Sequence, residues 1–406
     1  MKFILHLGPV IPATLEERER LRPIAHRTDR TQQMLDEMVE LAQLAEQTGF
    51  EILTFSEHHF FTDGLIAGAN PTPHILNLAA HTKKIRIGPL GYVLPTWDPI
   101  RLATDVAWAD QMTRGRVVVG FARGVFPRWV NVLGQRYGVE PSVQGGDAEL
   151  HNREVSQELF EVIKACWKDE AFSFKGKYYQ VPMPAEGIAW PAADVTARYG
   201  APGEVDDNGL VRKLSVVPKP YQKPHPLLLQ AMTLTRETIG WTAQQGIVPM
   251  IFLPFPEMAI QGAQFYRDEA AKAGRHLRLG ESVGLARIIS LAATRERAIA
   301  LAEQGIMGLL ALYHSRFYPN IPTRIEPVMK SGIAFVGTPE DVRRQLAAVQ
   351  AQLDPEYFLV FCDQGLLPLD EVKRQVEMFA ELMPEFRTAA APANGGSLNV
   401  AGPGTA

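Results

Sequence analysis

Short apolar runs alternate with amphipathic ones along this chain. Residues 2–7, 51–56, 85–92, 116–121, 226–232, 247–253, 283–292 and 356–362 are rich in Val, Ile, Leu and Phe. Many of these runs are apolar throughout, which suits strands of a parallel sheet buried on both faces. Between them the apolar positions take helical spacing. Residues 30–48 place Met34, Leu35, Met38, Leu41, Ala42 and Ala45 on one stripe, and Gly49 stands where a helix would end. The same spacing predicts helices over 73–82, 99–113, 150–168, 236–245, 257–273, 294–312, 339–352 and 369–383. Asp29 and Thr338 occupy N-cap positions, and Pro339 fits a first helical position. Eight strands alternating with helices point to an α/β fold of the TIM (β/α)8 barrel type. An open doubly wound sheet fits the same alternation, but no G-x-G-x-x-G follows the first strand.

Two stretches break the rhythm. Residues 183–225 are rich in Pro, Gly and Ala, and residues 313–336 separate an apolar helix from Gly337-Thr338-Pro339. Connections of this length in a compact domain are commonly functional, so both are expected as long insertions near the C-terminal face of the barrel. The second is the expected lid. Residues 1–388 then form a single domain, and the Gly/Ala-rich tail 389–406 is expected to be disordered.

Composition narrows the class. The chain is 46% hydrophobic and 21% charged, with a formal net charge of -4. No basic cluster of the kind that grips nucleic acid is present. Cys166 and Cys362 are too few and too far apart in sequence for a disulfide framework or a cysteine zinc site, which points to a reducing, cytoplasmic setting. No apolar stretch reaches membrane-spanning length, and the short apolar N-terminus reads as a strand.

In a TIM barrel the chemistry sits just after the strands. The second strand ends in Ser56-Glu57-His58-His59-Phe60. Neighbouring side chains there point in opposite directions, so one histidine can face a pocket with Glu57 close by. Two satisfied rim histidines are the plainer reading. The first strand offers one histidine, His6, so a metal-dependent hydrolase stays a distant reading. After the third strand, Gly88 and Gly91 permit close backbone approach to a planar ligand, or simply mark a barrel bend. Arg123, after the fourth strand, can grip an anion or form a rim ion pair. After the fifth strand, Thr235-Arg236-Glu237-Thr238 opens a helix, whose N-terminus can hold a phosphate or merely be capped by Thr235.

Taken together, these blocks resemble the luciferase-like, flavin-dependent monooxygenases. The likeness runs over about residues 30–170, 218–255 and 336–385. It is carried by Glu57-His58-His59-Phe60, Asn70-Pro71, Val93-Leu94-Pro95-Thr96-Trp97-Asp98-Pro99-Ile100-Arg101, Asp110-Gln111-Met112-Thr113-Arg114-Gly115-Arg116 and Gly120-Phe121-Ala122-Arg123-Gly124. The resemblance implies reduced FMN (FMNH2) as cosubstrate, a flavin C4a-peroxide formed with O2, and a separate flavin reductase. It implies His58 as the catalytic histidine, with Glu57 beside it. Arg123, Thr235 and Thr238 would hold the FMN phosphate, and Leu90–Gly91 would form a non-prolyl cis peptide under the flavin ring.

The resemblance has departures. Ala122 stands where luciferase carries a reactive cysteine, and Leu234 replaces a usual glutamate. A hydrophobic or carbonyl-bearing small-molecule substrate is therefore expected, without light emission. Its pocket would draw on His6, Phe60, Tyr92, Trp97, Phe126, Met232 and Phe252, and no metal is expected. A coenzyme F420-dependent oxidoreductase and a non-catalytic flavin-binding protein are the alternatives. The family's habit of pairing through the helices at 73–82 and 99–113 implies a homodimer, with Ile75, Leu76, Leu78, Val106 and Trp108 as apolar positions there.

Overall fold

The first strand, β1 (Lys2–Leu7), alternates between two cores. Phe3, Leu5 and Leu7 pack outward under the helices, while Ile4 turns into the barrel. That alternation recurs through the wall in this computed structural model. It describes residues 1–233, 235–312, 316, 322–362 and 366–387; the side chains of Gln144 and Met232 are outside that set.

The remaining wall strands are β2 (Ile52–Phe55), β3 (Arg86–Pro89), β4 (Val118–Ala122), β5 (Leu227–Thr233), β6 (Val248–Ile251), β7 (Gly284–Leu291) and β8 (Tyr357–Phe361). Each pairs in parallel with its neighbours, β8 returns to β1, and a bridge from Ile87 to Val117 joins β3 to β4. The result is a nearly closed parallel barrel, and the open-sheet alternative falls away. Ile4, Ile52, Leu90, Val118, Leu229, Met250, Ala286 and Leu359 fill its centre with apolar side chains, most of them branched.

All eight expected strands are present, the first with the expected ends and the others with shifted ones. The run 85–92 breaks in two, β3 and the short strand Tyr92–Val93, at Leu90–Gly91, whose peptide is cis. Glycine is required at this crossing for a local reason. A Cβ on Gly91 would strike the Gly120 backbone, and one on Gly88 would strike the Val118 carbonyl. The barrel-bend reading of these glycines therefore accounts for them.

Helices Pro99–Thr113, Arg236–Gln245 and Pro339–Gln352 have the expected limits. Thr338 caps the last of these in a reciprocal box with Asp341. The long helix starts at Thr28, so Asp29 lies in its first turn and does not cap it. The expected helix 294–312 is two, Arg295–Gln304 and Ile306–Leu312, parted at Gly305. An unexpected strand, Ala334–Gly337, pairs with the upper half of β7.

The 183–225 segment links helix Gly146–Trp167 to β5. Its end is fixed at the N-terminal side of the barrel, where Gln222 bonds to Asp110 and to the Val117 carbonyl. That end reaches this side because it leads into the start of β5. Residues 313–315 and 317–321 of the expected lid, and the tail 389–406, lie outside the described residues. No helix among the described residues is long and apolar enough to cross a membrane.

Candidate active site

The ends of β4 and β5 part around a cleft of about 360 Å³, counting the space open to solvent. Phe121, Ala122 and Arg123 reach it from β4 and the residue beyond it. Gln230 comes from β5, Glu237 and Thr238 from the helix that follows β5, and Arg153, Ser156 and Gln157 from helix Gly146–Trp167. Arg123 and Thr238, far apart in sequence, thus share one wall. Thr235 is exposed and caps the helix; its hydroxyl lies 3.0 Å from that of Thr238.

Arg123 is ion-paired with Glu149, and Arg153 reaches the same carboxylate oxygen at 2.8 Å. Burial raises the Glu149 carboxyl, but the hydrogen bonds from Arg123 and Arg153 outweigh it and hold its pKa below the ordinary value. Asn152 donates to the Arg123 carbonyl at 3.0 Å and to the Glu140 carbonyl at 2.8 Å, which pins the backbone that presents the arginine. Two guanidinium groups, a buried glutamine and a hydroxyl at a helix N-terminus form a donor set suited to a phosphate. Glu149 is the internal anion that the two guanidinium groups now hold.

Ala122 also borders a second cluster, built from Phe61, Phe126, Trp129 and Val130. His58 sits against it. Its ring centre lies 5.3 Å from that of Phe126, 5.9 Å from Phe61 and 6.2 Å from Trp129. His59 turns instead to Glu57, with Nε2 2.9 Å from Oε1. Glu57 is fully enclosed, and it also accepts from the Val93 backbone N–H at 2.8 Å and from Trp97 Nε1 at 3.1 Å. This carboxylate ties the end of β2 to the strand Tyr92–Val93 and thereby sets the direction of His58. Leu309 of helix Ile306–Leu312 completes the same cluster from the far side.

The expected pocket residues divide among several places. His6 and Phe252 both meet Phe361 at the barrel mouth, with ring centres 4.6 and 6.2 Å away. His6 Nδ1 lies 2.9 Å from the Thr54 hydroxyl, and burial lowers the ring to about 3, so it is neutral. Phe126 belongs to the His58 cluster. Tyr92 is fully buried in the outer core, with its hydroxyl 2.8 Å from that of Thr72, and Trp97 packs edge-on against it. Phe60 is 47% exposed and stands beside His59. The Met232 side chain lies outside the described residues. Leu90 plugs the barrel interior. Among the described residues, no group of three or more His, Cys, Asp or Glu could hold a metal.

Sequence reasoning passed over Arg153, Gln157 and Gln230. Gln230 carried a readable signal, as the one strongly polar side chain in the run Leu227–Thr233 apart from its terminal threonine. Arg153 carried none, since only the tertiary fold brings its helix to Arg123.

A family model for luciferase-like monooxygenases matches residues 21–354. The chain belongs to that family. The oxygenase component of flavin-dependent trigonelline monooxygenase from Acinetobacter baylyi is 33% identical over 150 residues, covering 37% of this chain and 38% of that one. The 3,6-diketocamphane 1,6-monooxygenase of Pseudomonas putida is 29% identical over 157 residues, covering 38% of this chain and 40% of its own length. The matched segment is thus under half the length of either relative. Among solved structures, the oxygenating constituent of 3,6-diketocamphane monooxygenase in complex with FMN superposes with a TM-score of 0.70. It is 18% identical and covers 95% of this chain and 98% of its own. That likeness establishes the luciferase-like fold.

Proposed function

We propose that this chain is the oxygenase of a two-component monooxygenase, using reduced FMN from a separate reductase and O2 to oxidise a hydrophobic or carbonyl-bearing small molecule. The observation that carries the reading is the cavity in which Arg123, Arg153 and Thr238 converge beside the His58 cluster. These residues fit the group: two guanidinium groups and a helix N-terminus match a phosphate, which would displace Glu149 from the arginines. Thr235 positions Thr238 for the same role. Leu90 and Gly91, joined by a cis peptide, would support the ring from the barrel mouth.

Reduced FMN, when bound, supplies the electrons that activate oxygen. The protein's part is to orient, to exclude water and to handle a proton. Phe61, Phe126 and Trp129 flank the half-buried His58 ring with aromatic surface, which limits the water that reaches it. From there His58 delivers or removes the proton that the oxygenation requires. Glu57 acts through His59 and the Val93 backbone as a positioning group. His6 and Phe252, at the barrel mouth, are the substrate-side surface, with His6 offering a neutral hydrogen-bonding ring to a carbonyl.

A reductase partner is supported by the name of the trigonelline relative, an oxygenase component. A homodimer is supported by helix Pro99–Thr113, where Trp108 is 51% and Met112 is 64% exposed. Ile75, Leu78 and Val106 from the same pair of helices are spent on the core.

Oxygen uptake with a flavin reductase, NADH and FMN tests the reading. The wild type is expected to couple uptake to oxygenated product with substrates of the class above. His58→Ala is expected to lower coupled product formation about tenfold or more, with the oxygen released as hydrogen peroxide, since positioned proton transfer contributes about 10²–10⁴-fold to rate. A variant that couples as well as the wild type removes His58 from the chemistry. NADH oxidation by the purified chain with FMN and no reductase would contradict the two-component reading.

A further inference from the structure

A charged residue interrupts β7, whose sequence is GLARIISL. Ala286 faces the barrel centre, packed with Ile4, Met250 and Leu359. Its neighbour Arg287 therefore points outward, into the layer between wall and helices. There the helices Pro256–Lys272 and Pro339–Gln352 flank a cavity of about 610 Å³, counting the space open to solvent. Its walls are mostly apolar, with Ile260, Leu285, Phe335 and Val349 among them. Gln345 joins Arg287 on the polar side.

Arg287 is only 2% exposed. Its one hydrogen bond among the described residues runs from Nη1 to the carbonyl of Ala286, the preceding residue, at 2.8 Å. Its Nε is buried without a partner, and so is Gln345 Oε1. Burial lowers the guanidinium to about 10, with no acidic neighbour acting on it among the described residues. It thus stays charged at neutral pH. A buried ion without a counter-charge carries a large desolvation penalty, which an anion in the groove would offset. A half-turn of the Gln345 amide presents its NH2 to the same anion.

We propose that this groove is a binding site for a small amphipathic carboxylate, held by Arg287 and Gln345 at the head and by the apolar helix faces along the body. A single cation matches a single carboxylate, and the apolar walls select against a fully hydrated inorganic ion. The site lies on the outer face of β7, apart from the Arg123 cavity between β4 and β5.

Octanoate is a suitable probe, with 1-octanol as its uncharged counterpart, titrated calorimetrically into the full chain. Octanoate is expected to bind, and 1-octanol to bind about tenfold or more weaker, as loss of a charge-assisted contact dictates. Arg287→Met is expected to lose that site. Its melting temperature without ligand should be no lower than that of the wild type, because an uncompensated buried charge has been removed. Octanoate should raise the melting temperature of the wild type alone. Ala348→Trp, which fills the exposed rim of the groove, supplies a second test that leaves the buried arginine untouched. The proposal is overturned if the wild type binds no octanoate or if 1-octanol binds equally well. It is also overturned if Arg287→Met and Ala348→Trp retain the site, and a destabilised Arg287→Met with unchanged binding would make the arginine a structural strut.

Discussion

His6 shows how much one buried side chain decides. Its ring sits at the barrel mouth against Phe361, hydrogen-bonded to Thr54, and burial takes it from 6.5 to about 3. An unfolded chain takes up a proton on this histidine below about pH 6.5, while the folded chain does not. Its contribution to stability is therefore complete above that pH and is lost progressively as pH falls toward about 3. Denaturant unfolding across this window should show a steep loss in the wild type and a flatter one in His6→Gln. Parallel curves would mean that the ring is protonated in the folded state. Single residues were legible where their type clashed with their setting. Arg123 at a strand end and Thr238 at a helix start could be read directly, and Gln230 could have been. Tyr92 and Trp97 could not, because an aromatic ring at a strand end suits either the pocket or the outer core, and only packing chose the core.

Elements were legible where pattern and capping agreed. Helix Pro339–Gln352 has an apolar stripe, a proline start and a Thr338 cap, and it was read to the residue. The strand Ala334–Gly337 offers only AFVG after a polar stretch, too short to separate from a loop, so its pairing with β7 came only from the fold. Glycines at the β3–β4 crossing allowed two readings in sequence; the backbone contacts require glycine for the bend and leave the ligand reading where it stood. Gly91→Ala is expected to destabilise the chain by about 3 kcal/mol or more, since a methyl there meets backbone that cannot move aside. A variant with an unfolding midpoint equal to that of the wild type would show that the crossing is looser than described.

The whole molecule is a barrel whose two faces have separate work. The C-terminal face gathers the Arg123 cavity and the His58 cluster, and the N-terminal face anchors the end of the 183–225 segment. The barrel was legible because eight apolar runs alternated with helices. The side taken by the body of the insertion was not legible, because length alone does not say which face a connection crosses. Assembly is argued at this scale too. Trp108→Arg places a charge on the exposed apolar face of helix Pro99–Thr113, and is expected to shift a dimer to monomer in sedimentation analysis while leaving the fold intact. An unchanged sedimentation coefficient would move the interface elsewhere. The central claim is that Arg123 and its neighbours hold the phosphate of reduced FMN. An anaerobic titration with FMNH2, with reduced F420 as competitor, tests it most directly. The account predicts FMNH2 binding that reduced F420 does not displace, weakened about tenfold or more by Arg123→Ala through loss of a charge-assisted hydrogen bond. Equal FMNH2 affinity in the variant, or displacement by reduced F420, would contradict it.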